Sequence, residues 1–191
     1  MRRTLIIMVK EPRVGRVKTR LGRDIGMTTA AWWFRHQSAS LIRRLRDPRW
    51  QIVLATAPDR ALLSSVWPPD ILRTPQGRGD LGQRMPRVMR NVARGPVCLI
   101  GADIPGITRA HIARAFTALG DHDAVFGPAM DGGYWLVGLK HPRRQPPGLF
   151  KDVRWSSEHA LADTVKTLPD HRITLINQLR DVDTVEDLRR L

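Results

Sequence analysis

Residues 97–103, Val-Cys-Leu-Ile-Gly-Ala-Asp, run six positions without a charge and then end on a carboxylate. A continuous apolar run of this length reads as a strand covered on both faces, as at the centre of a parallel sheet. An unpaired carboxylate is expensive to bury, so Asp103 belongs where the strand opens to a ligand or a counter-charge. This stretch sits within an alternating pattern. Thr4–Val9, Gln51–Thr56 and Asp70–Thr74 read as strands, and Thr28–Arg46 and Asp80–Arg94 as amphipathic helices, the first capped by Thr28. Pro86 falls in the second turn of the latter and is a candidate kink. Beyond Asp103 the pattern predicts a helix over Thr108–Leu119 and strands over Asp123–Ala129 and Gly133–Leu139. A helix near Ser156–Leu168, a strand over Arg172–Asn177 and a closing helix over Thr184–Leu191 follow. Strands alternating with helices predict an α/β fold with a mostly parallel sheet. The 191 residues show no internal repeat and no linker, which implies one domain over 1–191.

The segment after the first strand, Lys10–Gly22, reads KEPRVGRVKTRLG and carries five cations between Lys10 and Arg20. Backbone N–H groups converge beyond a strand end, and Lys and Arg add charge, so the loop is a natural anion site. Gly15 permits close backbone approach. A Walker A loop needs lysine directly after its second glycine. Here Lys18-Thr19 follows Gly15 by three positions, which rejects that motif, and G-x-G-x-x-G is absent as well. The bland alternative is a solvated basic loop.

Composition narrows the field. The net charge is +14, which favours phosphorylated or polyanionic partners, although an arginine-rich codon usage would produce it too. One cysteine, Cys98, excludes an internal disulfide and reads as a small core residue. Six scattered histidines offer no zinc motif. No apolar stretch reaches the length of a membrane span and the N-terminal apolar run is too short for a signal peptide, so a cytoplasmic location is expected.

Four separated motifs, KEPRVGRVKTRLG, GDLGQRM (Gly79–Met85), GADIPGI (Gly101–Ile107) with DGGYWLVGL (Asp131–Leu139), and DVDTVEDL (Asp181–Leu188), together resemble a family of small bacterial proteins provisionally assigned as glycosyltransferases. This DUF2064-like group belongs to the nucleotide-diphospho-sugar transferase superfamily. Its relatives include the guanylyltransferases of molybdenum-cofactor and deazaflavin-cofactor assembly. The resemblance implies a GT-A fold and transfer from a nucleotide or nucleotide-sugar donor to a small-molecule acceptor, with Mg²⁺ or Mn²⁺ as cofactor. On it, Lys10, Arg13, Gly15, Lys18, Arg20 and Asp80 are expected to bind the nucleotide. Asp103 and Asp183 are expected to bind metal, and Lys18, Arg20 and Asp131 to be catalytic. Asp131, Gly132, Gly133, Tyr134 and Trp155 are expected on the acceptor side. Local readings compete at several positions. Asp80 and Asp183 sit where N-caps belong, with Glu186 in the place of a capping-box partner. Asp131 opens an Asp-Gly turn, Trp135 reads as core, and Ser156 reads as an N-cap rather than a nucleophile. The arginines at 84, 87, 90 and 94 read as a solvated helix face, with a nucleic-acid contact as the minority reading.

The chain departs from the family pattern in two places. The first loop lacks adjacent glycines, and Asp103-Ile104-Pro105 stands where sugar transferases often have Asp-x-Asp. Glycosyl transfer is the leading reading, nucleotidyl transfer with release of pyrophosphate the alternative, and a non-catalytic nucleotide- or nucleic-acid-binding module the reading from another class.

Overall fold

A computed structural model describes residues 2–180, 182 and 184–189. Asp181 and Asp183 lie outside the described residues, and the expectation that Asp183 binds metal or caps a helix falls there. Seven strands form one sheet: β1 (Arg3–Lys10), β2 (Trp50–Ala57), β3 (Leu72–Pro75), β4 (Val97–Gly101), β5 (Ala124–Pro128), β6 (Tyr134–Leu139) and β7 (Ile173–Leu175). Their order is β3-β2-β1-β4-β6-β5-β7. All neighbours are parallel except β6, which is antiparallel to both β4 and β5. The apolar run at 97–101 is therefore the middle strand, as its composition demands.

Side-chain alternation along β1 divides the core. Leu5, Ile7 and Val9 face a layer containing α2 (Met27–Arg44) and α4 (Arg109–Ala118), where Phe34, Leu41, Ile112 and Phe116 are buried. Ile6 faces the opposite layer, where Met85, Val88 and Met89 of α3 (Leu81–Val92) pack with Leu149, Phe150 and Leu168. Leu5, Ile6 and Ile7 are wholly buried. At about 1.5–3 kcal/mol for each large apolar side chain, these three residues anchor both halves of the domain.

Several local expectations are corrected. Residues 19–25 are not loop but a short helix, α1 (Thr19–Ile25), so Arg20 is helical. The following helix starts at Met27 after Gly26 rather than being capped by Thr28, because the φ of 89° at Gly26 breaks α1 and lets the chain restart at once. The connection between β2 and β3 is only a 3₁₀ turn (Asp59–Leu63). Pro86 sits within a continuous α3. The helix near Ser156 begins later, as α5 (Ala160–Lys166), with His159 at the N-cap position. Ser156 has φ 58° and lies in the preceding turn, so it is no cap. The last helix, α6 (Val185–Leu188), is capped by Thr184, and its capping-box partner is Asp187, not Glu186, because N3 counts from Thr184.

The chain runs outward from β1 through β2 to β3, then returns beneath the sheet along α3 to place β4 on the other side of β1. The order thus reverses between β1 and β4. In open α/β sheets, ligands bind beyond the carboxyl ends of the strands at such a reversal. Lys10 ends β1 and Asp103 lies two residues past β4.

Candidate functional site

A cleft of about 620 Å³ opens at this reversal. Its mouth is lined by Lys10, Arg16, Lys18 and Arg20 from the first loop and α1, and by Asp103 and Ile104 beyond β4. Its inner part runs over the sheet face, floored by Met8, Leu99 and Val137. Leu81, Arg84 and Met85 of α3 line it there together with Tyr134, Trp155 and Ser156.

The mouth is built from strain and ion pairing. Lys18 adopts a left-handed backbone, φ 46° and ψ 45°, at the N-cap position of α1. A non-glycine residue there is strained by about 1–3 kcal/mol, and such strain concentrates at functional sites. The conformation turns the Lys18 side chain inward to 6% exposure. Its ammonium donates to the Val182 carbonyl at 2.7 Å and lies 3.4 Å from Asp103 Oδ1. Burying an ammonium requires such a partner. Asp103 itself stays half exposed, so one side of its carboxylate is held by the protein and the other faces the cleft. The loop that carries it is braced by Arg44, which donates to the carbonyls of Pro105 and, at 2.8 Å, Ile107. Gln76, 4% exposed, ties the ends of β1 and β2 by donating to Val9 and Ala55 carbonyls at 3.3 and 2.8 Å.

Asp131 lines the cleft at the start of an Asp-Gly turn, where its Oδ1 accepts the Gly133 N–H at 3.0 Å. Gly132, at φ 84°, is pressed against the backbone of Glu158, so any side chain there would collide with it. Gly133 reaches the cleft and Gly132 does not line it. Tyr134 packs edge-on against Phe126 and Trp155, with ring centroids 5.2 and 6.4 Å away, and burial pushes its hydroxyl pKa well above the usual range. Trp135 is core, as expected: it is 3% exposed and donates to the Asn177 carbonyl at 2.9 Å.

Lys10, Lys18, Arg20, Asp103, Asp131, Gly133, Tyr134 and Trp155 thus share one cleft, although they come from four separate stretches of chain. Three expected nucleotide ligands do not line it. Arg13 pairs with Glu11 at 2.6 Å and holds that carboxyl below its ordinary pKa. Gly15 lies in the loop at φ 71° with open space around it. Asp80 caps α3, accepting the Gln83 N–H at 2.9 Å. The reading of the sequence counted Arg16 among the loop cations without giving it a role, took Arg84 for part of a solvated helix face, and missed Gln76 and Leu81. Gln76 and Arg84 carry no local signal that separates them from surface.

Cation-binding capacity rests on oxygen. Among the described residues no three His, Cys, Asp or Glu side chains gather closely enough to cage a metal. Two carboxylates, Asp103 and Asp131, line the cleft. One or two carboxylates completed by phosphate oxygens and water suit Mg²⁺ or Mn²⁺, and do not suit a tetrahedral zinc site. The residues present fit a divalent ion that arrives with a phosphorylated ligand.

Comparison with known proteins agrees with this architecture. The chain belongs to the family of uncharacterized proteins conserved in bacteria, DUF2064, whose model matches residues 41–157. No curated protein matches it. Among solved structures, a protein of Desulfovibrio desulfuricans G20 described provisionally as a nucleotide-diphospho-sugar transferase superposes with a TM-score of 0.86 at 28% identity. That alignment covers 98% of this chain and 85% of that one. The Mycobacterium tuberculosis protein Rv0371c, in complex with manganese, gives 0.55 at 16% identity over 99% and 96% of the two chains. CMP:2-keto-3-deoxy-manno-octonic acid synthetase complexed with CTP gives 0.60 at 10% identity over 100% and 96%. The fold is that of the nucleotide-diphospho-sugar transferases. Among the described residues no helix is long and apolar enough to cross a membrane.

Proposed function

We propose that the protein is a metal-dependent transferase that takes its group from a nucleotide-sugar donor. The observation that carries this reading is the meeting of Lys10, Arg16, Lys18 and Arg20 with Asp103 at the reversal between β1 and β4. The cations hold the donor diphosphate, and their charge stabilises it as the C1–O bond to the sugar breaks and a nucleophilic oxygen of the acceptor bonds to C1. Asp103, with Asp131 or phosphate oxygens, would hold Mg²⁺ or Mn²⁺, which supplies further positive charge on the departing diphosphate. Where phosphate oxygens complete the metal site, Asp131 serves in this reading as the base that accepts the proton the acceptor loses. Nucleotidyl transfer, in which an acceptor phosphate attacks the α-phosphorus and pyrophosphate leaves, is the second reading. It is favoured by a single aspartate at 103 in place of Asp-x-Asp.

The test is thermal stabilisation by nucleotide sugars and nucleoside triphosphates, with and without Mg²⁺ or Mn²⁺. A ligand at about 100 times its Kd adds about 2.7 kcal/mol. The metal-dependent part of that shift is expected with nucleotide sugars and is expected to vanish in Asp103→Asn. Stabilisation by triphosphates alone would favour nucleotidyl transfer. Salt-sensitive nucleic-acid binding without any metal-dependent response to nucleotides would sink both.

A further inference from the structure

The inner part of the cleft contains a cation that the donor reading does not use. Arg84 lies on α3, one turn after Leu81 and beside Met85, and these three residues form the cleft-facing edge of the helix. Its Nε is buried without a hydrogen-bond partner. A buried, unsatisfied guanidinium N–H is costly, and the cost rises with the charge it carries. The neighbouring arginines of the helix do not share this state. Arg87 donates to the Gln76 and Arg78 carbonyls and Arg90 to Gln145. Neither carboxylate lining the cleft is paired with Arg84: Asp103 meets Lys18, and Asp131 accepts the Gly133 N–H.

Arg84 shares the cleft with apolar and aromatic side chains. Gly82, on the next face of α3, has no side chain, which leaves room for the Phe150 carbonyl: a Cβ there would lie 2.9 Å from that oxygen, with the Trp155 ring in ordinary contact at 3.4 Å. Trp155 in turn stands edge-on to Tyr134, and the floor beneath is Met8, Leu99 and Val137. An arginine at the side of an apolar slot selects a ligand with an apolar body and an anionic group, because the guanidinium fork pairs with carboxylate or phosphate through two parallel hydrogen bonds.

We propose that Arg84 anchors a second subsite and that the acceptor carries a carboxylate or phosphate on an apolar or aromatic body, held against Leu81, Met85 and Tyr134. This rests on the reading that the donor diphosphate occupies the cationic mouth. The probes are phenyl phosphate and benzoate, titrated calorimetrically into the full chain without nucleotide or metal, with phenol as the neutral counterpart. Binding of at least one anionic probe is expected, with phenol at least tenfold weaker. Arg84→Gln should weaken the anionic probe about tenfold or more, while Arg84→Lys, which keeps charge but loses the fork, should fall between. Whichever probe binds reports which anion the fork prefers. Equal binding of phenol, or an affinity unchanged in Arg84→Gln, would overturn the proposal. So would displacement of the probe by an unphosphorylated nucleoside, which would make the slot a base pocket. If Arg84→Gln fails to fold, Arg84→Lys decides the question, because the cationic mouth also attracts phosphate in the native chain: an affinity unchanged in Arg84→Lys would overturn the proposal. Because neither donor nor metal is present, this test can fail while metal-dependent stabilisation by nucleotide sugars stands, and the reverse.

Discussion

At Gly127 the sheet has no room for a methyl group. A Cβ there would lie 2.3 Å from the Trp135 ring, which is itself fixed by its hydrogen bond to Asn177. Gly127→Ala must displace either the indole or the strand, and overpacking of this kind destabilises by about 1–3 kcal/mol. Urea unfolding is expected to show that loss as a lower midpoint with the same slope; an unchanged midpoint would mean that Trp135 is free to move. Cys98 is equally fixed. Wholly buried in β4, its thiol has a pKa pushed far above the ordinary range by desolvation. Iodoacetamide is expected to leave it unmodified in the native protein and to label it only after unfolding, as read by mass spectrometry. Only one of these residues is recognisable from the chain. Cys98 reads as core because its neighbours are apolar, whereas nothing adjacent to Gly127 announces that a tryptophan eight positions later will lie across it.

Among the helices, α4 has a cap that depends on protonation. Thr108 Oγ1 accepts the His111 N–H at 3.4 Å, and His111 Nδ1 accepts the Thr108 N–H at 3.3 Å. Partial burial, with a smaller contribution from Arg114, lowers the His111 pKa below its usual 6.5. The folded state therefore binds the proton more weakly than the unfolded chain. The stability this gives is present above about pH 6.5, where both states are neutral, and is lost as pH falls through the folded pKa. Protonation also removes the Nδ1 acceptor. A cap is worth about 1 kcal/mol, and the ring is partly in water, so the pH-dependent share is smaller. Melting temperature is expected to drop more steeply on acidification below pH 6.5 in the wild type than in His111→Gln; parallel curves would show that the cap does not titrate. Caps are legible where side chain and spacing coincide, as at Asp80, whereas the sequence reading placed Thr108 inside its helix. They were misjudged at Ser156 and Thr28, where the backbone before the helix decided the start.

At the scale of the whole molecule, the net charge of +14 acts on fold and cleft together. Raising ionic strength from about 0.01 M to 0.15 M shortens the screening length from about 30 Å to about 8 Å. Self-repulsion of the folded chain is then relieved, and the melting temperature is expected to rise. A fall would show that exposed pairs such as Arg154–Asp163, at 2.7 Å, outweigh the repulsion. The amino-acid pattern alone determined the α/β class, the middle strand, most helix and strand positions, and the pairing of a cationic segment with Asp103. These follow from local rules, since hydrophobic period and run length report which face of an element is covered. The tertiary structure alone decided that β6 runs antiparallel, that Lys18 turns inward to hold Asp103 while Arg13 turns away to Glu11, and that Arg84 faces the cleft while Arg87 and Arg90 do not. One helix face looks the same in sequence whether it meets water or a cavity. The difference arises only when α3, crossing under the sheet between β3 and β4, brings Leu81, Arg84 and Met85 into one cleft with Tyr134 and Trp155.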